Sequence, residues 1–174
     1  MTTFFIADTH FNHERIIPIC KRPFHNAEEM NNKLIENWNS VVSDDDIVWV
    51  LGDYFYFPSP IKSYAPIAIC RDITNKLNGI KNLITGNHDT QSTEYYKSCG
   101  FDFVSPYPII LNNFYLLSHE PLQLSETTPY FNIYGHVHND NKFVDNITSK
   151  CVSAERINYT PISLDTIKKG ISIC

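Results

Sequence analysis

The chain has 174 residues, a length that suits one domain with a substantial hydrophobic core. Hydrophobic residues make up 43% of it and charged residues 19%, a composition that excludes a disordered or fibrous protein. The net charge is −5 and no strongly basic block is present, which excludes a broad electrostatic attraction for nucleic acid or an anionic membrane. Bound cations would therefore have to attract an anionic substrate.

The sequence shows no sign of secretion or membrane insertion. Its first residues lack a basic start followed by a long apolar run, and no stretch reaches the roughly 18 apolar residues of a membrane span. The five cysteines are scattered without a C-x-x-C pair, which is typical of reduced thiols. We therefore expect a cytoplasmic protein without membrane contact. No feature indicates an obligate protein partner, and the oligomeric state is left open.

The predicted elements alternate between strands and helices. Short runs rich in β-branched or aromatic residues predict strands at residues 3–7, 47–51, 83–85, 108–111, 114–117 and 131–134. Apolar residues at helical spacing predict a helix at residues 27–42, with Asn26 as its N-cap. Ser163 is predicted to cap a last helix that runs through Lys169 and ends at Gly170. This order favours stacked sheets covered by helices.

Five of the apolar runs are followed directly by Asp, Asn or His. Taken singly, each of these residues also fits an ordinary polar turn. Together they include five of the seven histidines, and ligand sites of layered α/β proteins lie outside the carboxyl ends of strands. We therefore expect the five loops to converge on one site. The residues are Asp8 and His10, Asp53, Asn87 to Asp89, His119, and His136 and His138.

These motifs, taken in order, resemble the calcineurin-like metallophosphoesterase superfamily, and in particular its small bacterial and phage members. The resemblance covers residues 8 to 138 and consists of D-x-H, G-D, G-N-H-D, a later H and then G-H-x-H. It implies one domain over residues 1–174 with an αββα sandwich, in which two mixed sheets are flanked by helices. It also implies a site for two metal ions at one edge of the sandwich.

The resemblance implies which residues hold each ion. Asp53 would bridge the two ions, and the remaining ligands would divide into two sets. The first ion would take Asp8, His10 and His138, and the second would take Asn87, His119 and His136. Carboxylate, imidazole and amide oxygen ligands without thiolate suit Mn²⁺, with Fe or Zn²⁺ as alternatives. Two such ions generate a hydroxide nucleophile and offset charge on the phosphoryl oxygens.

His88 has a separate role in the superfamily pattern. There the His of G-N-H is the general acid beside the leaving-group oxygen, a task that suits a group whose pKa lies near working pH. Protein phosphatases pair this His with an Asp three residues after the bridging Asp, a position that is Tyr56 here. This departure argues against a protein phosphatase and leaves the orientation of His88 unexplained.

A few residues indicate how the substrate is bound. D-T-H-F-x-H and R-P-F resemble the small bacterial and phage members, and they suggest that His13 and Arg22 contact the phosphate. A surface histidine and a solvated arginine are the alternatives. The aromatic run at residues 54–57 either stacks on a base or belongs to the core or a lid.

The predicted function is metal-dependent hydrolysis of a phosphate ester. A phosphodiester is favoured over a phosphomonoester, and the expected partner is a small phosphorylated, nucleotide-like substrate. One alternative is a nuclease, which should bind DNA with a steep dependence on salt. The other is a scaffold without catalysis, like the retromer subunit that resembles these enzymes; that subunit lacks the G-N-H histidine, which is His88 here.

Overall fold

The computed structural model describes residues 1–57, 65–125 and 127–170. Within these residues the strands and helices follow one another in a layered α/β order. They are β1 (Thr3–Ile6), α1 (Ile16–Ile19), α2 (Ala27–Val41), β2 (Ile47–Leu51), α3 (Ala65–Thr74), β3 (Ile80–Ile84), α4 (Thr93–Ser98), β4 (Phe103–Ser105), β5 (Ile109–Leu111), β6 (Tyr115–Leu117), β7 (Phe131–Tyr134), β8 (Ser149–Cys151), β9 (Ile162–Ser163) and α5 (Leu164–Gly170).

The strands form two mixed sheets. The first has the order β4-β3-β2-β1-β9, in which β1 to β4 are parallel and β9 is antiparallel to β1. The second has the order β5-β6-β7-β8, in which β5 is antiparallel and the other three are parallel. Two mixed sheets with flanking helices confirm the predicted α/β fold class.

Alternating side chains of the first sheet pack into two hydrophobic cores, one on each face. Phe4 and Ile6 pack with α2 and the other early helices, in a cluster that includes the fully buried Trp38. Phe5 points to the opposite face and packs with residues of the second sheet such as Leu117. The core between the sheets therefore holds the carboxyl ends of strands from both sheets close together.

Local signals predicted where two of the helices, α2 and α5, begin. Asn26 Oδ1 accepts a hydrogen bond from the Glu29 N–H at 2.8 Å, as expected of the N-cap of α2. Ser163 Oγ accepts from the Thr166 N–H at 3.1 Å and so caps α5, which includes Gly170 as its last residue. Strands β2 and β7 match their predicted bounds.

Other strands were predicted only in part or had no signal in the sequence. Strand β3 begins at Ile80, before the predicted start at residue 83, because its whole length pairs with β2. Strands β4, β8 and β9 have only two or three residues each and exist because a neighbouring strand pairs with them. Among the described residues no helix has both the length and the apolarity to cross a membrane.

Candidate metal centre

Five loops meet where strands of the two sheets end. Asp8 follows β1 and Asp53 follows β2, while Asn87 follows β3 in the same sheet. From the second sheet, His119 follows β6 and His136 follows β7. Backbone hydrogen bonds join these loops: Asp8 N–H donates to Gly52 O at 3.0 Å, and Gly135 N–H donates to His119 O at 2.9 Å. All seven predicted ligand residues are thereby brought to one place.

The backbone at this place is strained. Five of the seven predicted ligand residues have a positive φ, a region that residues other than Gly rarely adopt: Asp8 (55°), His10 (48°), Asp53 (52°), His136 (71°) and His138 (47°). Each such residue costs about 1–3 kcal/mol and persists only where the surrounding structure determines it. Strain concentrated on these residues is typical of a functional site.

The first group of ligand atoms comes from Asp8, His10 and His138. One ligand atom of each lies within 4.8 Å of the others. Asp8 is 0% exposed and His10 is 1% exposed, yet Asp8 Oδ1 and His10 Nε2 have no hydrogen-bond partner. A buried polar atom without a partner costs about 1–3 kcal/mol. Two such atoms so close together fit a bound cation, because neither has a partner within the protein.

The second group contains Asn87, His119 and His136. Asn87 Oδ1 lies 3.0 Å from His119 Nε2 and 3.0 Å from His136 Nδ1. Asp53 Oδ2 lies 3.6 Å from His119 Nε2 and 3.5 Å from His10 Nε2, so that it stands between the two groups. This is the position that the sequence analysis predicted for a bridging carboxylate. The donor set fits two divalent ions.

Burial disfavours the charged forms of the ligand residues in this centre. It raises the pKa of the Asp8 carboxyl and lowers the pKa of the His10 imidazole, in each case disfavouring the charged form. Burial also opposes charge on His138, but Cys20 and the carboxylates of Glu155 and Asp8 raise its pKa to about 10. Bound cations would favour the ionised carboxylates and the neutral imidazoles that coordination needs.

Hydrogen bonds behind the ligands orient their imidazoles. His119 Nδ1–H donates to Leu51 O at 2.9 Å, and His138 Nδ1–H donates to Glu155 Oε1 at 3.0 Å. In both residues Nε2 is thereby left as the ligand atom. Glu155 was missed by the sequence analysis, because it follows none of the strand ends that identified the other residues and no motif includes it.

Asp89 is a second residue that the sequence analysis left without a role, although the G-N-H-D motif contains it. Its carboxylate accepts the N–H groups of Asp53 at 2.7 Å, Tyr54 at 3.1 Å and Gly86 at 2.9 Å. It thus joins the loop after β2 to the loop after β3. Burial raises its pKa to about 6.

The predicted general acid, His88, lies at the open side of the centre. Its side chain is exposed, its backbone N–H donates to Asp53 Oδ1 at 2.8 Å, and its ring lies 5.4 Å from the His10 ring. Tyr56, which replaces the carboxylate of the phosphatases, stacks on His13 with ring centroids 4.1 Å apart and planes 6° apart. His13 is 8% exposed and its Nδ1 lies 3.2 Å from His10 Nδ1.

The structure contradicts the prediction that Arg22 contacts a phosphate. Its side chain is 0% exposed and all five guanidinium N–H groups face protein atoms. Two donate to the carbonyls of Asp8 at 2.6 Å and Thr9 at 2.9 Å, two to Glu155 and one to Met30 Sδ. No donor is left for a substrate.

The aromatic run after Asp53 is largely a core element. Tyr54, Phe55 and Phe57 are 0%, 1% and 9% exposed and belong to the cluster beneath the early helices. Of the two alternatives for this run, the structure therefore supports the core. Only Tyr56 of the run is half-buried and near the centre.

Comparisons with known proteins agree with this architecture. A model of the calcineurin-like phosphoesterase family matches residues 1–166. An uncharacterized protein of Methanocaldococcus jannaschii is 40% identical over an alignment of 178 residues that covers 97% of this chain and 90% of that protein. The Gene 66 protein of Mycobacterium phage L5 is 37% identical over 87 residues, covering 50% of this chain and 39% of that protein.

Solved structures show the same fold. A protein of unknown function from Aquifex aeolicus superimposes with a TM-score of 0.70 at 25% identity, covering 98% of this chain and 99% of its own. Pseudomonas putida nuclease MPE superimposes with a TM-score of 0.53 at 21% identity, covering 78% of this chain and 60% of its own. The match of the family model over nearly the whole sequence, on a fold with candidate metal ligand clusters, shows that the chain belongs to the calcineurin-like phosphoesterase family.

Proposed function

We propose that this chain is a dinuclear, metal-dependent phosphodiesterase that acts on a small nucleotide-like substrate. Membership of the family supports phosphate ester hydrolysis. The observation that carries the metal dependence is the buried pair of unpartnered atoms, Asp8 Oδ1 and His10 Nε2, beside Asp53 Oδ2. Mn²⁺ is the proposed ion because the ligand atoms are carboxylate, amide and imidazole without thiolate.

Each residue of the centre has a proposed task. Asp8, His10 and His138 would hold the first ion, Asn87, His119 and His136 would hold the second, and Asp53, which lies between the two groups, would serve both. The ions, when bound, supply a hydroxide nucleophile near neutral pH and offset the charge of the phosphoryl group.

His88 is proposed to give its proton to the leaving-group oxygen. It is exposed on the open side, where a substrate can reach it, and its backbone is fixed by the bond to Asp53. His13 lies beside it, with ring centroids 6.4 Å apart, and burial lowers the pKa of His13 to about 4. A neutral His13 can donate one N–H to a phosphate oxygen without competing with His88 for a proton.

A small substrate is favoured over a long nucleic acid. The net charge of −5 provides no electrostatic attraction for a polyanion, and Arg22 is consumed by bonds within the protein. The alternative is a nuclease, the activity for which the Pseudomonas putida neighbour is named. DNA binding measured over a salt series separates the two, because a nuclease should bind DNA and lose affinity steeply as salt rises.

The buried free cysteines Cys20, Cys70, Cys99 and Cys151 support a reducing, cytoplasmic setting; Cys174 lies outside the described residues.

The metal dependence is tested by reconstitution. Metal-free protein should bind about two Mn²⁺ ions per chain, and chelation should abolish hydrolysis of bis-p-nitrophenyl phosphate. Asn87→Ala should weaken the binding of one ion more than that of the other, because Asn87 Oδ1 contacts His119 and His136 of the second ligand group. Activity that survives complete removal of metal would refute the mechanism.

The role of His88 is tested by the leaving group. His88→Ala should keep both ions and lower kcat by roughly 10²–10⁴-fold on an alkyl or ribose ester, whose alkoxide needs a proton. On a p-nitrophenyl ester kcat should fall less, since p-nitrophenolate leaves without a proton. His25→Ala, at an exposed position, is the matched control. Equal losses on both esters, or loss of an ion, would show that His88 is not the acid.

A further inference from the structure

One buried ion pair connects both loops that supply the first ion site. Arg22 Nη2 lies 2.7 Å from Glu155 Oε1 and Arg22 Nε lies 2.8 Å from the same atom. The two side chains are 0% and 5% exposed, and they come from positions 133 residues apart. A buried pair of this kind is costly to desolvate and adds little stability by itself. Its neighbours indicate a different use.

On the arginine side, the ion pair holds the loop of Asp8 and His10. Arg22 Nη2 donates to Asp8 O at 2.6 Å, and Arg22 Nη1 donates to Thr9 O at 2.9 Å. Asp8 and His10 have the strained backbone described above. The two bonds fix the carbonyls between these ligands, so that neither peptide can rotate while the guanidinium is in place.

On the glutamate side, the ion pair holds His138. Glu155 Oε1 accepts the His138 Nδ1–H at 3.0 Å, and His138 Nε2 then lies 3.9 Å from Asp8 Oδ1. The next residue, Arg156, donates from Nε to His138 O at 2.6 Å. Both residues belong to a short 3₁₀ helix, Ala154–Ile157, which is joined to the end of β1 through the Ala154 N–H bond to Ala7 O at 2.9 Å.

We propose that Glu155, held by Arg22, is a positioning residue that presents His138 Nε2 to the first ion and fixes the loop of Asp8 and His10 beside it. This inference rests on the proposed function. A carboxylate behind a ligating histidine fixes the orientation of the ring and makes it a stronger ligand, and its loss commonly weakens metal binding by roughly 10–100-fold. Here the same carboxylate is fixed in turn by an arginine that no substrate can reach.

A different reading of the same atoms makes Glu155 itself a ligand. Cys20, His138 and Glu155 offer ligand atoms within 4.8 Å of one another, and Glu155 Oε2 is buried without a partner. The guanidinium of Arg22 argues against a cation there, because its positive charge lies against the same carboxylate, with two bonds to Oε1, and would repel a second cation. The positioning role is therefore the one that the contacts favour.

The test measures Mn²⁺ binding to metal-free protein by the electron paramagnetic resonance signal of free Mn²⁺. Glu155→Gln should lower the affinity of one ion by roughly 10–100-fold and leave the other unchanged. Glu36→Gln is the matched control, because Glu36 is 69% exposed and its ion-pair partner among the described residues is the exposed Lys33. Combining Glu155→Gln with Asn87→Ala should weaken the binding of both ions, since the two substitutions affect different sites.

A second readout reports the hydrogen bond itself. In Zn²⁺-loaded, ¹⁵N-labelled protein, the His138 Nδ1–H should resonate far downfield and move upfield in Glu155→Gln. The His119 Nδ1–H, which donates to Leu51 O, should not move. If Glu155→Gln fails to fold because Arg22 is left as an unpaired buried charge, Arg22→Gln with Glu155→Gln removes that charge and is tested in the same way.

The possible failures are distinguishable. Wild-type protein that binds no Mn²⁺ would overturn the proposed function and this inference with it. Wild-type protein that binds two ions, beside a folded Glu155 variant that binds both with wild-type affinity, would overturn the inference alone. A Zn²⁺-loaded Glu155→Gln protein with an unmoved His138 resonance would do the same.

Discussion

Replacing Gly86 by Ala should disrupt the metal centre, because the added methyl group overlaps sterically with neighbouring residues. A Cβ at Gly86 would lie 2.3 Å from Asp53 Oδ1, 2.6 Å from Asp53 N and 2.8 Å from His119 Cε1. Carbon atoms pack best at about 3.5–4.0 Å, so Asp53 or the loop of Gly86 must move by about 1 Å. Neither is free to move, because the Asp89 carboxylate binds the N–H groups of both residues.

The cost follows from these contacts. Overpacking of this kind costs about 1–3 kcal/mol. Displacing Asp53 Oδ1 also breaks its bond with the His88 N–H, and a hydrogen bond to a charged group contributes about 1.5–3 kcal/mol. We therefore expect the free energy of unfolding to fall by about 2.5–6 kcal/mol, together with weaker binding of both ions because Asp53 contacts both groups.

Urea unfolding and Mn²⁺ titration measure the two effects on the same preparation. Gly170→Ala is the matched control: apart from its chain neighbours and its own helix backbone, no atom of the described residues lies within 4 Å of the added Cβ, and Ala in a helix is favoured over Gly by up to about 1 kcal/mol. A Gly86→Ala protein that loses less than about 1 kcal/mol and binds both ions normally would refute the reasoning. That result would mean that Asp53 does not lie against Gly86.

Three further predictions concern other parts of the fold. Asn26→Ala should lower the free energy of unfolding by about 1 kcal/mol, measured by urea unfolding, because α2 loses its N-cap; an unchanged midpoint would contradict the cap. Tyr54→Phe should lower stability by about 1 kcal/mol without changing KM, because the Tyr54 hydroxyl bonds Thr74 Oγ1 at 2.8 Å in the core; unchanged stability would contradict a buried hydrogen bond at this position. Hydrogen bonds from the Ser43 and Thr2 N–H groups hold the pKa of Asp46 below its usual 3.8, so its ionised form stabilises the fold above that pH and the stabilisation is lost as pH falls further. The stability difference between wild type and Asp46→Asn should accordingly shrink below pH 3.8 in acid unfolding series, and a constant difference would contradict the assignment.

Local patterns were sufficient for the elements whose signals lie within a few residues. The N-cap and apolar spacing predicted α2, and a short apolar run predicted β2 with its bounds. The ligand loops could be placed together for a related reason. Parallel strands end at the same edge of a sheet, so polar residues that follow each strand are brought close without knowledge of the contacts.

Tertiary structure alone decided the roles of residues whose partners lie far along the chain. Arg22 has the charge and reach of a phosphate ligand in the sequence, yet it is buried against Glu155, 133 residues away. The aromatic run reads equally well as a stacking surface or as core, and only the packing of Tyr54 beneath the helices separates the two. The physical reason is common to both cases: local sequence determines backbone propensity and periodicity, whereas the burial of a charge or a ring depends on surfaces that exist only after distant segments have packed.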